Sequence, residues 1–204
     1  MKKSTHNIYL SKDLSVLEEM FEKFNAKYFD SALPNAVITI QSRPGTHGHF
    51  APDRWSVDKD FAPEINLSAE SLGRDLVRAA ATLIHEMVHL YCHVNEIKDT
   101  SRGGRWHNKL FKREAEVRGL IIDKSDSIGF SLTTPAPELI SWVEKNYPGY
   151  EFGKSRRDIP HLAGVAASST RKYSCRACGT SVRATREVSI KCMDKACNTL
   201  MEIV

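Results

Sequence analysis

At 204 residues with 41% hydrophobic content, the chain is long enough for one folded domain plus a small appendage, and too apolar to be a disordered polymer. Its 29 lysines and arginines against 25 acids leave a net charge of +4, which excludes an acidic solvating chain. No apolar run is long enough to span a bilayer, and polar residues rather than a signal peptide follow Met1-Lys2-Lys3, so a cytoplasmic protein with reduced cysteines is expected.

In chain order, Leu14, Leu17, Phe21, Phe24 and Tyr28 recur at helical spacing and predict a helix over 14–29. Phe29-Asp-Ser-Ala-Leu-Pro34 then leads into an expected strand at Val37–Ile40. Two further short strands are expected at Gly48–Ala51 and Glu64–Leu67. His47 and His49 alternate around Gly48, so both face one side; they are read either as supporting or substrate-side groups or as ordinary surface histidines.

The segment from Arg74 to His93 contains no Gly or Pro and is rich in helix formers, with Ser71 as its expected N-cap. Inside it stands His85-Glu86-Met87-Val88-His89. Residues four apart share a helix face, so both imidazoles can reach one Zn²⁺. Glu86, beside the first histidine, is placed to act as general base for a water activated there. This is the HExxH pattern of zinc hydrolases; two satisfied core histidines are the plain alternative. Cys92, in the same helix, reads as a small buried side chain.

A catalytic zinc normally takes three protein ligands. His93 lies about 6 Å further along the helix axis than His89 and does not easily share its ion. The third histidine six residues after the second is absent, because Asn95 stands there. Glu114 and Glu116 on a following helix are possible carboxylate ligands, and His107 is the better candidate. It follows the flexible Gly103-Gly104 turn and opens an expected second helix carrying Trp106, Leu110, Phe111 and Ala115, which can fold back on the first.

HEMVH followed by a polar loop and Gly-Gly-Arg-Trp-His-Asn-Lys-Leu-Phe resembles the SprT-like, or Spartan-type, metalloprotease domain. The resemblance implies His85, His89 and His107 as ligands of a catalytic zinc and Glu86 as general base. The early helix and first strand resemble the family's opening elements, so the likeness covers most of the chain. In zinc-helix proteases of this kind the edge strand of a small sheet can hold an extended peptide by backbone pairing.

Pro137–Asn146 predicts a further helix with Pro in its first turn and Leu139, Ile140 and Val143 on one side. The stretch from Gly153 to Thr170 has linker composition. Beyond it Cys175 and Cys178 form a C-x2-C knuckle, and Cys192 and Cys197 a C-x4-C pair thirteen residues later. Four such thiolates can close a structural zinc site, and β-prone residues over 181–190 suit a zinc ribbon. SprT-like proteins often carry one, although a second C-x2-C would be usual. A ribbon this short needs its metal to fold.

From Glu151 onward ten basic residues face five acidic ones, a net charge of +5 that leaves the first 150 residues at −1. A basic appendage suggests a polyanion partner, most naturally DNA, through Arg171, Lys172, Arg176, Arg183 and Arg186. Tyr173 could stack on a base; an ordinary solvated basic surface is the alternative. The resemblance points to DNA too, since Spartan-type proteases act on proteins bound or crosslinked to it.

The expectation is an α+β protein: a zincin-like metalloprotease domain with helices packed on a small sheet (1–152), a linker (153–171) and a small C-terminal zinc ribbon (172–204). It would carry one catalytic and one structural zinc, and cut protein substrates that are DNA-bound or DNA-crosslinked. A non-catalytic DNA-binding ribbon protein with a protease-like scaffold is the second reading.

Overall fold

Leu83, Ile84, Met87, Val88 and Leu90 cover more than one face of a helix, and a helix apolar on all sides has to be surrounded. The computed structural model, which describes residues 10–58, 60–152, 170–194 and 196–204, surrounds it. Two compact units are formed, Met1–Ile159 and Pro160–Val204. The expected linker at 153–171 lies outside the described residues except for its last two; Arg171 already belongs to a strand of the second unit.

The first unit begins with α1 (Ser11–Tyr28), β1 (Val37–Gln41), β2 (Gly48–Val57), β3 (Asp60–Ser68) and α2 (Leu76–Val94). It continues with β4 (Thr100–Ser101), β5 (Trp106–His107), α3 (Lys109–Glu116), β6 (Leu120–Ser125), β7 (Gly129–Pro135) and α4 (Pro137–Asn146). One sheet has the order β1-β3-β2, with β1 parallel and β2 antiparallel to β3, so β2 is an edge. The other runs β4-β5-β7-β6, its one parallel pair being β5 with β7. Helix α2 packs against both sheets and against α1, α3 and α4.

Of the α1 residues expected to face the core, Leu17, Phe21 and Phe24 are buried and Leu14 and Tyr28 half-buried, and Met20 is buried beside them. Leu139 and Val143 bring α4 onto the same core, while Ile140 stays half-buried. The N-cap of α2 is Asp75 rather than Ser71: its side chain accepts from Arg78 N at 2.8 Å. Ser71 ends a short 3-10 turn instead. Strand β1 is fastened to β3 by polar side chains. Thr39 Oγ1 donates to Glu64 Oε1 at 2.7 Å, and Gln41 N to Asn66 Oδ1 at 2.7 Å.

The second sheet was not expected. Burial alternates along Leu120–Asp123, but apolar Ile121 and Leu132 occupy open positions, so the sequence over Leu120–Pro135 lacks the apolar–polar alternation that marks a strand. A buried arginine ties its supporting helix to the rest. Arg118 donates through Nη1 to Glu114 O and Oε2 at 2.7 and 2.9 Å, and its guanidinium lies 3.9 Å from the Tyr91 ring centre and 4.8 Å from that of Phe29. Burial pushes the Glu114 carboxyl up, but hydrogen bonds from Arg113 and Arg118 outweigh it and its pKa ends below the ordinary value.

In the second unit β8 (Arg171–Ser174), β9 (Ser181–Ala184) and β10 (Glu202–Ile203) form an antiparallel sheet of order β10-β8-β9. Among the described residues its buried cluster is Tyr173, Cys175, Cys192 and Met201. Among the described residues no helix is long and apolar enough to cross a membrane. The architecture is α+β, with helices on small sheets and a C-terminal cysteine cluster compatible with a zinc ribbon.

Replacing Arg118 by Ala leaves Glu114 without its buried partner, and we expect a loss of about 3 kcal/mol in urea unfolding. A midpoint unchanged from the parent would show that the arginine does not join α3 to the core.

Candidate metal centre

His85 and His89 project from one face of α2, one turn apart. His107 reaches them from another element, the short strand β5, and not from the helix expected to start there; Asn108 is the N-cap of α3 and Lys109 its first residue. Two contacts hold β5. His107 N donates to Ile128 O at 3.0 Å, and His107 is in parallel register with Gly129. Gly129 has φ +76, and a Cβ there would lie 2.2 Å from His107 O. Asn108 secures the other side: its Nδ2 donates to Lys98 O at 2.6 Å, and its Oδ1 accepts from Leu110 N at 2.7 Å.

The Nε2 atoms of His85 and His89 lie 3.3 and 3.1 Å from Nε2 of His107. Tetrahedral metal–nitrogen bonds of about 2.0–2.1 Å separate ligand nitrogens by about 3.3 Å, so the donor set fits one ion. Tautomers agree with that use. Thr133 Oγ1 donates to Ser131 O at 3.2 Å, so it accepts from His85 Nδ1 at 2.7 Å; Asp99 Oδ2 accepts from His89 Nδ1 at 2.5 Å, and Ile128 O from His107 Nδ1 at 3.3 Å. With Nδ1 carrying the proton in each ring, all three Nε2 lone pairs are free for a metal. Burial drives the His85 pKa well below the ordinary value and that of His107 to about 4, which keeps both rings neutral at pH 7. The Phe111 ring sits 4.6–4.7 Å from all three imidazole centres and has no exposed surface.

Glu86 is buried next to His85, and burial pushes its pKa up to about 7, although the N–H of Phe50 on β2 donates to its carboxylate. A Cβ at Gly48 would come within 2.9 Å of Glu86 Oε1, so the edge strand approaches the carboxylate only because Gly48 has no side chain. The centre opens into a cleft of about 1400 Å³, lined by β2 residues and by Ser131 to Pro135 of β7.

The other ligand candidates lie elsewhere. Glu114 is paired with Arg113 and Arg118, and Glu116 with Lys112. His93 packs its ring near Phe50 at 5.8 Å and is not part of the triad. His47 and His49 line the cleft, where His47 Nδ1 is 2.8 Å from Ser71 Oγ. Cys92 is buried, with its thiol pushed up to about 12 by burial. Sequence reasoning missed Asp99, Thr133 and Gly129, and placed Phe111 only as an apolar residue of the following helix. Asp99 alone had a signal: it is a carboxylate in the loop between the motif and His107.

In the second unit the Sγ atoms of Cys175, Cys178, Cys192 and Cys197 lie within 4.8 Å of one another, with Cys178 and Cys192 3.7 Å apart. That is close to the ~3.8 Å edge of a tetrahedral thiolate site. The C-x4-C half is accommodated as a wider version of the first knuckle. Cys175 N donates to Thr180 O, and Cys192 N to Thr199 O two residues further round. Gly179 (φ +75) and Asn198 (φ +44) stand in the same place, just after the second cysteine of each pair, and both adopt the left-handed backbone that closes the loop. The Cys178 N–H and the Thr199 hydroxyl lower the Cys175 pKa to about 6, whereas hydrogen bonding to the Cys178 sulfur raises Cys197. Four thiols this close cannot all ionise without a cation between them.

Arg171, Lys172, Arg176, Arg183 and Arg186 are all exposed. Lys172 and Arg183 are cross-strand partners, while Arg176 is ion-paired with Glu202 at 2.5 Å. Tyr173, expected as a stacking platform, is buried and accepts from Val188 N at 3.0 Å; it packs the cysteine cluster instead.

A family model described as the SprT-like family matches residues 17–122. No curated protein and no solved structure matches the chain.

Two substitutions test how the triad is held. Asp99→Asn keeps the shape but weakens the hold on the His89 tautomer, and metal affinity should fall about 10–100-fold in chelator competition. Gly129→Ala pushes His107 off the shared point, so its metal affinity should fall further. Unchanged affinity in both would show that these contacts do not set the geometry.

Proposed function

The chain belongs to the SprT-like family, and on that premise we propose that it is a zinc-dependent endopeptidase acting on DNA-bound or DNA-crosslinked proteins. The observation that carries the proposal is the convergence of His85, His89 and His107 on one tetrahedral-sized point, with Glu86 buried beside it at the floor of an open cleft.

The Nε2 atoms of His85, His89 and His107 would hold the zinc, which would supply Lewis acidity for the scissile carbonyl and for water near neutral pH. Glu86 accepts the proton of the attacking water and passes it to the departing amine. Burial makes this carboxylate a stronger base than an exposed one, which favours the proton-accepting half of that transfer. The Phe50 N–H holds its carboxylate in place meanwhile. Strand β2 is the sheet edge along the cleft, so an extended peptide can add to it by backbone pairing and lie across the three histidines.

Zinc in the four-cysteine cluster would fold the second unit, whose buried cluster is otherwise too small. Five exposed cations there support DNA as the partner that brings protease and substrate together, in a cytoplasmic setting.

Glu86→Gln should keep full zinc content and lose on the order of 10²–10⁴-fold in cleavage rate. Equal cleavage by parent and variant sinks the assigned mechanism. Metal analysis should give two zinc ions per chain, falling to one in His107→Ala and to one in Cys175→Ser. For DNA, replacing Lys172 and Arg183 by Ala should reduce the slope of log affinity against log salt by about 2, and an unchanged slope removes them from the contact.

A further inference from the structure

Arg74, just ahead of α2, lines the metal cleft with its guanidinium already held. Nε donates to Ser71 O at 3.2 Å and Nη2 to Thr82 Oγ1 at 3.0 Å. The side chain is half-buried, yet no carboxylate among the described residues lies within ion-pair distance of it. Its neighbour Asp75 turns the other way, capping α2 and pairing with Arg78 at 3.5 Å. The N–H groups of Nη1 have no partner among the described residues. Desolvation of a guanidinium is normally offset by a carboxylate or phosphate. Here burial lowers the Arg74 pKa, and Asp75 nearby offsets this only in part.

The anchor shows where such a partner would sit. Thr82 is one turn ahead of Glu86 on α2, about 6 Å along the axis. Its Cγ2 meets the Gly48 position on β2, as Glu86 Oε1 does. An extended peptide advances about 3.3 Å per residue, so one lying on β2 with its scissile bond at Glu86 brings a side chain about two residues away to Arg74. The charge of the cleft agrees. Arg43, Arg78 and Arg105 also line it, and among the described residues its lining carboxylates are Glu86, held by Phe50 N–H, and Asp99, engaged with His89.

We propose that Arg74 forms a carboxylate-binding subsite, so that the cleft prefers peptides with a negative carboxylate about two residues from the bond to be cut. A planar fork held at Nε and Nη2 presents its free N–H groups to a carboxylate without first losing side-chain freedom. The carboxylate is that of an internal Asp or Glu or that of a chain end; the fork fits both. The register rests on the endopeptidase reading, whereas the subsite itself is read out by binding alone.

Zinc-loaded Glu86→Gln protein, which is meant to bind without cutting, is titrated with fluorescein-labelled octapeptides. A single Glu, or Gln in its place, is moved through an Ala-Ser-Gly background, and each peptide is made with a free and an amidated C terminus. At one position Glu should bind at least about tenfold tighter than Gln, or the free terminus tighter than the amide. Adding Arg74→Gln should abolish that difference, and Arg74→Lys, which keeps the charge but not the fork, should retain part of it. A Glu effect that survives amidation identifies a side chain, and an effect lost on amidation identifies a chain end; both support the subsite. Absent or indifferent affinity, or a preference undiminished in Arg74→Gln, overturns it. So does an oligothymidine that displaces the peptides with the same dependence on Arg74, which would assign the guanidinium to phosphate. Failure of the parent protein to cut any protein overturns the endopeptidase reading and leaves this binding result standing.

Discussion

Three imidazole nitrogens with their lone pairs turned toward one point repel one another until a cation stands between them, and the first unit is built to hold them there. Each ring is fixed from behind through Nδ1, by Thr133, Asp99 or the Ile128 carbonyl. Each is also packed against Phe111, whose ring touches all three and is wholly buried. The hydrogen bonds set which nitrogen faces the metal and the phenyl ring sets how the imidazoles tilt. Neither alone would bring three nitrogens to tetrahedral spacing.

The same demand explains why α2 is surrounded. Two of the three histidines stand on one helix, so the third and the supporting groups have to come from whatever packs around it. Sheet β1-β3-β2 supplies the backbone N–H that holds Glu86, sheet β4-β5-β7-β6 supplies His107 and Thr133, and the turn into β7 supplies the Ile128 carbonyl. Both sheets come close through a glycine. Gly48 lets β2 approach Glu86, and Gly129 lets β7 lie against β5 without displacing His107. A catalytic group at the meeting of three elements is held more firmly than one on a loop, because no single element can relax without moving the others.

The second unit solves a similar problem with almost no core. Among the described residues Tyr173 and Met201 are its largest buried side chains, and the four sulfurs lie together beside them. Four thiolates at such short range would repel one another, so a metal that takes the place of their protons also fixes the fold. Tyr173 shows how the setting overrides a surface expectation: an aromatic flanked by cations in the chain is turned inward because the cluster has little else to fill it.

Much of this was legible in the chain. HEMVH marked two candidate ligands and the proposed base because helical spacing is a local property, carried by five consecutive residues whatever surrounds them. The four cysteines were legible for a related reason, since soft ligands in paired knuckles leave few other uses. The helices α1 and α4 followed from apolar spacing. His107 was reached through its resemblance to a known motif, but its placement on a strand rather than a helix was not, because a two-residue strand exists only by pairing with partners far along the chain. Asp99, Thr133, Phe111, Gly129 and Arg74 matter through contacts with residues distant in sequence, and no local pattern encodes those. Sequence by itself determined which chemistry the chain could hold; tertiary structure decided the tautomers, the third ligand's approach and the charge of the cleft, because each depends on which groups packing brings face to face.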